Sequence, residues 1–207
     1  MPSKDFYIIG AGFSRMAGLP TAKDLVDSLT TDFASSNPAQ AIGTELWREH
    51  IAMSDLSQAC IAIAREIADG IGTLSLNWDL ALELALNEID CPWAYGISGA
   101  LSILKPYGSI NWTDWNARGM MPVLRGHDAF YSAAEPFERP ATGHCVIDLQ
   151  LESETAFSQR IWGLAADFSR EADRVIHVGI DRNDYSDSCF ERITGLGKGL
   201  RHSTEVA

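Results

Sequence analysis

Residues 6–20 read FYIIGAGFSRMAGLP, an apolar run that breaks at Gly10 into a glycine-rich turn. Glycines at 10 and 12 permit backbone angles that a Cβ forbids, so a pyrophosphate can approach bare N–H groups along Gly10, Ala11, Gly12, Phe13 and Ser14 near the start of a helix. That chemistry suits a dinucleotide. The same spacing also serves a tight strand-to-helix turn with no ligand, and the loop alone leaves both readings open. The dinucleotide fingerprint of dehydrogenases has a third glycine where this chain has Arg15, and an acidic-ended strand about 20 residues later. Neither is present, which counts against a flavoprotein or an ordinary dehydrogenase. Arg15 is instead a basic group suited to an anionic ligand.

A second polar cluster, Asn77-Trp78-Asp79, follows the apolar run 71–76 and precedes Leu80, Glu83, Leu84 and Leu86 at helical spacing. Asn77 therefore stands where a strand passes into a helix, and in an open α/β sheet such strand ends form the ligand crevice. Two readings compete: a ligand contact, or a helix cap. Asp79 in the first turn equally answers the helix dipole. Cys60, Cys91, Cys145 and Cys189 are scattered without a CxxC pair, so neither a zinc site nor a disulfide framework is indicated. His144 beside Cys145 reads as part of an alternating strand rather than a catalytic pair.

These clusters need elements to hold them. Thr21 to Asp24 resembles a capping box opening a helix with Leu25, Val26, Leu29 and Phe33 on one face. Residues 37–53 are poorly patterned, with Trp47, Ile51 and Met53 hinting at one short helix, and read as an insertion or a lid. Leu56, Cys60, Ile63, Ala64 and Ile67 predict a helix ending at Asp69-Gly70. Strands are expected over 71–76 and 101–105. A helix carrying Phe157, Ile161, Leu164, Ala165 and Phe168 leads into a strand ending near Gly179. After Phe190 no apolar strand is visible, and Gly195, Gly197 and Gly199 lie in a tail, 191–207, expected to be disordered.

The 207 residues fit one domain, 1–190. A composition of 46% apolar and 9% aromatic residues is that of an ordinary globular protein, and a net charge of -12 argues against nucleic-acid or anionic-membrane binding. No signal peptide is recognisable, and no apolar run approaches the roughly 20 residues that span a bilayer. A cytoplasmic location is expected.

Three segments, GAGFSRMAGLPT, LSLNWD and LKPYGSINW, together with the late strand ending in Gly179, resemble in order and spacing the SIR2-like family, which includes sirtuins and bacterial NAD-cleaving antiphage proteins. The resemblance covers most of 6–190 in scattered motifs. It implies a Rossmann-like α/β fold, a mostly parallel sheet with helices on both faces, here without a visible last strand. It implies NAD as substrate or ligand, no metal, the loop 10–14 on the phosphates, Asn77 near the nicotinamide ribose, and Asp79 and Gly179 in the same site. Asn77 and the residue before the Gly-Ser of the third motif take the catalytic positions. That residue is Tyr107 where the family has histidine, and a phenol with a reference pKa near 10 is a poor base at neutral pH. His127 and His144 are the nearest replacements in sequence. The implied activity is NAD hydrolysis through an oxocarbenium-like state. The alternative is a module that binds NAD or ADP-ribose without turnover. Zinc-containing deacylation requires cysteine pairs that are absent. A sheet without its last strand would call for a homo-oligomer or another partner to cover its edge.

Overall fold

Five consecutive buried residues, DFYII, form β1 (Asp5–Ile9), the strand around which a parallel sheet is laid. The computed structural model describes residues 4–29, 38–53, 55–97, 100–113, 145–147, 156–196 and 203–206. In chain order β1 is followed by α1 (Ala11–Met16), α2 (Ala22–Leu29), α3 (Pro38–Ala52), α4 (Gln58–Ala68), β2 (Gly72–Ser75) and α5 (Ala81–Glu88). Next come β3 (Trp93–Tyr95), β4 (Leu101–Leu104), β5 (Gly108–Thr113), β6 (Cys145–Ile147), α6 (Ala156–Glu171) and β7 (Arg174–Val178). A 3-10 turn (Arg182–Asp184), α7 (Asp187–Leu196) and β8 (Ser203–Val206) complete it.

The main sheet has six strands in the order β3-β4-β2-β1-β7-β8, each pair parallel. Strands buried on both faces account for the unbroken apolar runs of the sequence. Phe6 stacks on Phe168 of α6, whereas its neighbour Tyr7 lies against Gly70 at the end of α4. Successive side chains point to opposite faces, so α4 and α6 cover the two sides of the sheet. At the strand's base Asp5 takes a two-pronged ion pair from Arg174, 2.9 and 2.6 Å. The chain leaves β1 toward β2 on one side and leaves β7 toward β8 on the other. The carboxyl ends of β1 and β7 therefore flank the switch point where a ligand crevice is expected.

Three expectations change. Residues 191–196, expected in the tail, continue the helix 187–196, because Cys189 and Ile193, four apart, present one buried face. The sheet does not lack a last strand: β8 pairs in register with β7 from Val175 to Val178, and an edge strand can be held by its backbone pairing without an apolar run. The stretch read as an insertion or lid with one short helix is the 15-residue α3, whose Ile42, Leu46 and Trp47 are buried in the core and whose Trp47 Nε1 donates to the Ile110 carbonyl at 3.1 Å. The capping box is present as read: Thr21 N–H and hydroxyl donate to the Asp24 carboxylate, and Asp24 N–H donates back to the Thr21 hydroxyl. The hydroxyl and then the backbone of Thr21 hold that carboxyl below its usual range. β6 is a strand paired antiparallel with β5. His127 and His144 lie outside the described residues.

Candidate functional site

Three strand ends meet. The loop after β1, residue 77 after β2 and Gly179 after β7 close on one another. Asn77 Nδ2 donates to the Gly10 carbonyl at 2.9 Å. This overturns its reading as a helix cap: α5 begins at Ala81, and the capping acceptor is Asp79, whose Oδ1 takes the Ala81 N–H at 2.9 Å. The other Asp79 oxygen accepts from Ser14 Oγ at 2.5 Å. Asp79 thus ties the glycine loop to the start of α5 from a buried position, 5% exposed.

The glycine loop is not bare. Gly10 N–H donates to the Val178 carbonyl at 2.9 Å, Gly12 N–H to the Gly179 carbonyl at 2.9 Å and Phe13 N–H to the Gly10 carbonyl at 3.0 Å. Ala11 N–H donates to the Tyr185 hydroxyl at 3.0 Å. A Cβ on Gly12 would lie 2.6 Å from Gly179 Cα, and one on Gly10 would lie 2.5 Å from the tip of Ile180. Gly179 has φ +63° and faces Phe13 N at 2.5 Å from its own notional Cβ. The three glycines first serve backbone-to-backbone packing of β1's exit on β7's exit. Of the expected phosphate donors, Ala11 alone among the N–H groups of 10–13 is held by a side chain.

A buried ion pair fixes the floor. Lys105 Nζ donates to the Asp79 carbonyl at 2.6 Å, Glu83 Oε1 at 2.8 Å and Ser109 Oγ at 3.0 Å, which uses all three of its protons. Both side chains are fully buried. Removing one partner of such a pair typically costs about 3–5 kcal/mol, because the other is left charged and dry. Glu83 Oε1 also accepts from Tyr95, whose phenol is pushed well up by burial and then by Glu83. His50 of α3 completes the arrangement, its Nε2 accepting the Leu80 N–H at 2.9 Å. Burial lowers its pKa, against the opposing pull of Asp79 and Glu83.

Tyr107 does not join this cluster. It is 2% exposed, its hydroxyl lies 3.2 Å from Cys189 Sγ, and its ring meets Trp162 edge-on. Burial, then the Cys189 contact, hold the phenol far above its ordinary value, so a base at this position is not available at neutral pH. Arg15 is committed to Asp184, 3.2 Å, at the mouth of the site. Among the described residues no cluster of His, Cys, Asp or Glu could hold a metal ion, and no helix is long and apolar enough to cross a membrane. His50, Lys105, Asp184 and Tyr185 were not found from sequence. Each makes a site contact across 20 or more residues of chain, and no periodicity marks such a contact.

No protein-family model and no curated protein matches the sequence. The fold is that of Sir2 proteins. A Sir2 homolog–NAD complex superposes with a TM-score of 0.57 at 14% identity, over 99% of this chain and 78% of that one. A mutant Sir2 homologue bound to ADP-ribose gives 0.54 at 16% identity over 98% and 80% of the chains. A second such mutant complex gives 0.52 at 14%, over 98% and 80%. The protein is therefore an α/β, Rossmann-like domain of Sir2-like fold.

Proposed function

We propose that this chain binds NAD, or its ADP-ribose portion, at the carboxyl ends of β1, β2 and β7. The observation that carries the reading is the meeting of the loop 10–14, Asn77, Asp79 and Gly179 at the switch point of the sheet, in a fold shared with a Sir2 homolog–NAD complex. The donor set fits a nucleotide. Ser14 and Asn77 offer neutral hydrogen-bonding groups, Asp79 a carboxylate for ribose hydroxyls, and Arg15 a cation for phosphate.

Binding without turnover is the reading that Tyr107 favours, since its buried phenol replaces a base and is bonded to Cys189. Hydrolysis of the nicotinamide–ribose bond is the second reading. Asp79 favours it, a buried carboxylate beside Ser14 that would stabilise positive charge developing on the ribose. A role in antiphage defence would follow from NAD depletion and rests on that hydrolysis.

The test is calorimetric titration of the purified protein with NAD and ADP-ribose, with nicotinamide release followed in parallel for the parent and Tyr107→Phe. Binding with no nicotinamide from either protein supports the module. Equal release from both supports hydrolysis without the phenol, and release abolished in Tyr107→Phe would restore that residue to the chemistry. No heat and no release remove the cofactor assignment.

A further inference from the structure

Sites for ligands of this size enclose roughly 300–1,000 Å³. The cavity between Ala11, Ser14, Asn77, Asp79 and Tyr185 encloses about 30 Å³, room for a water or two. Some wall has to move before a dinucleotide can enter. The walls from β1, α1, β2 and α5 are core: Ile9, Phe13, Leu76, Trp78 and Leu80 are all 5% exposed or less. Pro20 to Lys23 and Leu46 of α3 line a further side, and the last wall, the one whose side chains hold both the Ala11 N–H and Arg15, is the segment between β7 and α7. Its 3-10 turn buries no residue, and two ion pairs hold it: Arg15–Asp184, whose side chains are 48% and 6% exposed, and the exposed Arg182–Asp187, at 70% and 85%. Its inward reach is Tyr185, whose hydroxyl accepts the Ala11 N–H at 3.0 Å.

We propose that residues 181–186 are a strap that shuts the cradle in the free protein. The Tyr185 hydroxyl stands on the Ala11 N–H where a phosphate oxygen would bind, and the Asp184 carboxylate occupies Arg15. A dinucleotide enters by exchanging its pyrophosphate oxygens for these two groups, which frees the strap to swing outward. The inference rests on the nucleotide reading of the site. Its physical content is a competition: the apparent affinity for ligand is the intrinsic affinity reduced by the fraction of molecules with the strap open. Asp181 fits the role of a hinge point, since it is exposed and its carboxylate accepts from Asn183 N–H at 2.9 Å, so the turn carries its own local structure when it moves.

Tyr185→Phe keeps the ring and deletes the oxygen, and Asp184→Asn removes the ion pair. In both the strap opens more often. ADP-ribose should bind Tyr185→Phe roughly three- to tenfold tighter, the effect of one hydrogen bond removed from the closed state alone. Asp184→Asn should gain about threefold or more, its ion pair being open to solvent on the Arg15 side only. Amide exchange at Ala11 in the ligand-free protein should quicken in Tyr185→Phe, with circular dichroism and melting confirming that both variants remain folded. If the parent binds ADP-ribose and Tyr185→Phe binds it equally or less well, Tyr185 is a fixed wall or a ligand contact and the strap is overturned while the site stands. If none of the three proteins binds, the nucleotide reading fails and the ligand-gated strap with it.

Discussion

Gly12 has no room for a methyl group, and the reason is Gly179 rather than a ligand. A Cβ there would lie 2.6 Å from Gly179 Cα and 3.1 Å from its carbonyl oxygen, with backbone on the far side that cannot rotate away. Gly12→Ala should therefore lower stability by about 1–3 kcal/mol through overpacking, and Gly12→Val by more. Gly163 supplies the control: it sits inside α6 with nothing within 4 Å of its notional Cβ, so Gly163→Ala should raise stability by about 0.5–1 kcal/mol. Urea unfolding of the two single variants measures both. Equal stabilities for the parent and Gly12→Ala would mean that the β1 and β7 exits can separate at no cost, and the contact would lose its structural role. A substitution at Gly12 meant to test ligand binding must consequently be read beside its effect on the fold. A glycine-rich loop shows in a sequence as permission for close approach, but what approaches is decided by the neighbouring strand.

The start of α5 is the element on which the site depends, and it is held by groups from three other places. Leu80 N–H is taken by His50 of α3, Ala81 N–H by Asp79 just upstream, and the Asp79 carbonyl by Lys105 after β4. The His50 link titrates. Burial lowers the folded pKa of His50 below the ordinary value of 6.5, Lys105 assisting and Asp79 and Glu83 opposing. Above about pH 6.5 the imidazole is neutral in both folded and unfolded chains, and the contact contributes in full. As pH falls below about 6.5 the unfolded chain takes up a proton that the folded one resists, and stability is lost progressively down to the folded pKa. His50→Gln can still accept from Leu80 N–H but does not titrate, so its urea midpoint should fall less than the parent's across that window. Parallel pH profiles for the two proteins would take His50 out of the acid response. Tyr107 shows the same dependence on context, since its phenol is set by Cys189 of α7 and Trp162 of α6 rather than by the Gly-Ser beside it.

Across the whole molecule, a net charge of -12 surrounds a site bordered by two cations among the described residues, Arg15, which is paired with Asp184, and Lys23. At low salt the protein should pass unretained through heparin and bind an anion exchanger. Retention on heparin would reveal a basic patch that the net charge conceals. The sheet order places β1 between β2 and β7, and this brings Gly179 against Gly10 and Gly12, which lie 169 and 167 residues away in chain. The sequence by itself determined the α/β class, the central strand, α4, α5, α6 and β7, because apolar periodicity and capping residues are local and write themselves into neighbouring positions. It also pointed to the loop 10–14, Asn77, Asp79 and Gly179 as strand-end residues, through motifs that each lie within one turn of chain. Short edge strands escaped it: β3 has three residues and β8 four, too few to write a period into the sequence. Only the tertiary structure decided that Asn77 grips the Gly10 carbonyl, that Tyr107 is sealed against Cys189, and that Tyr185 takes the Ala11 N–H. Those are contacts across 67, 82 and 174 residues, and they are fixed by which strand lies beside which, a choice made by the packing of the whole sheet and carried by no single stretch of sequence.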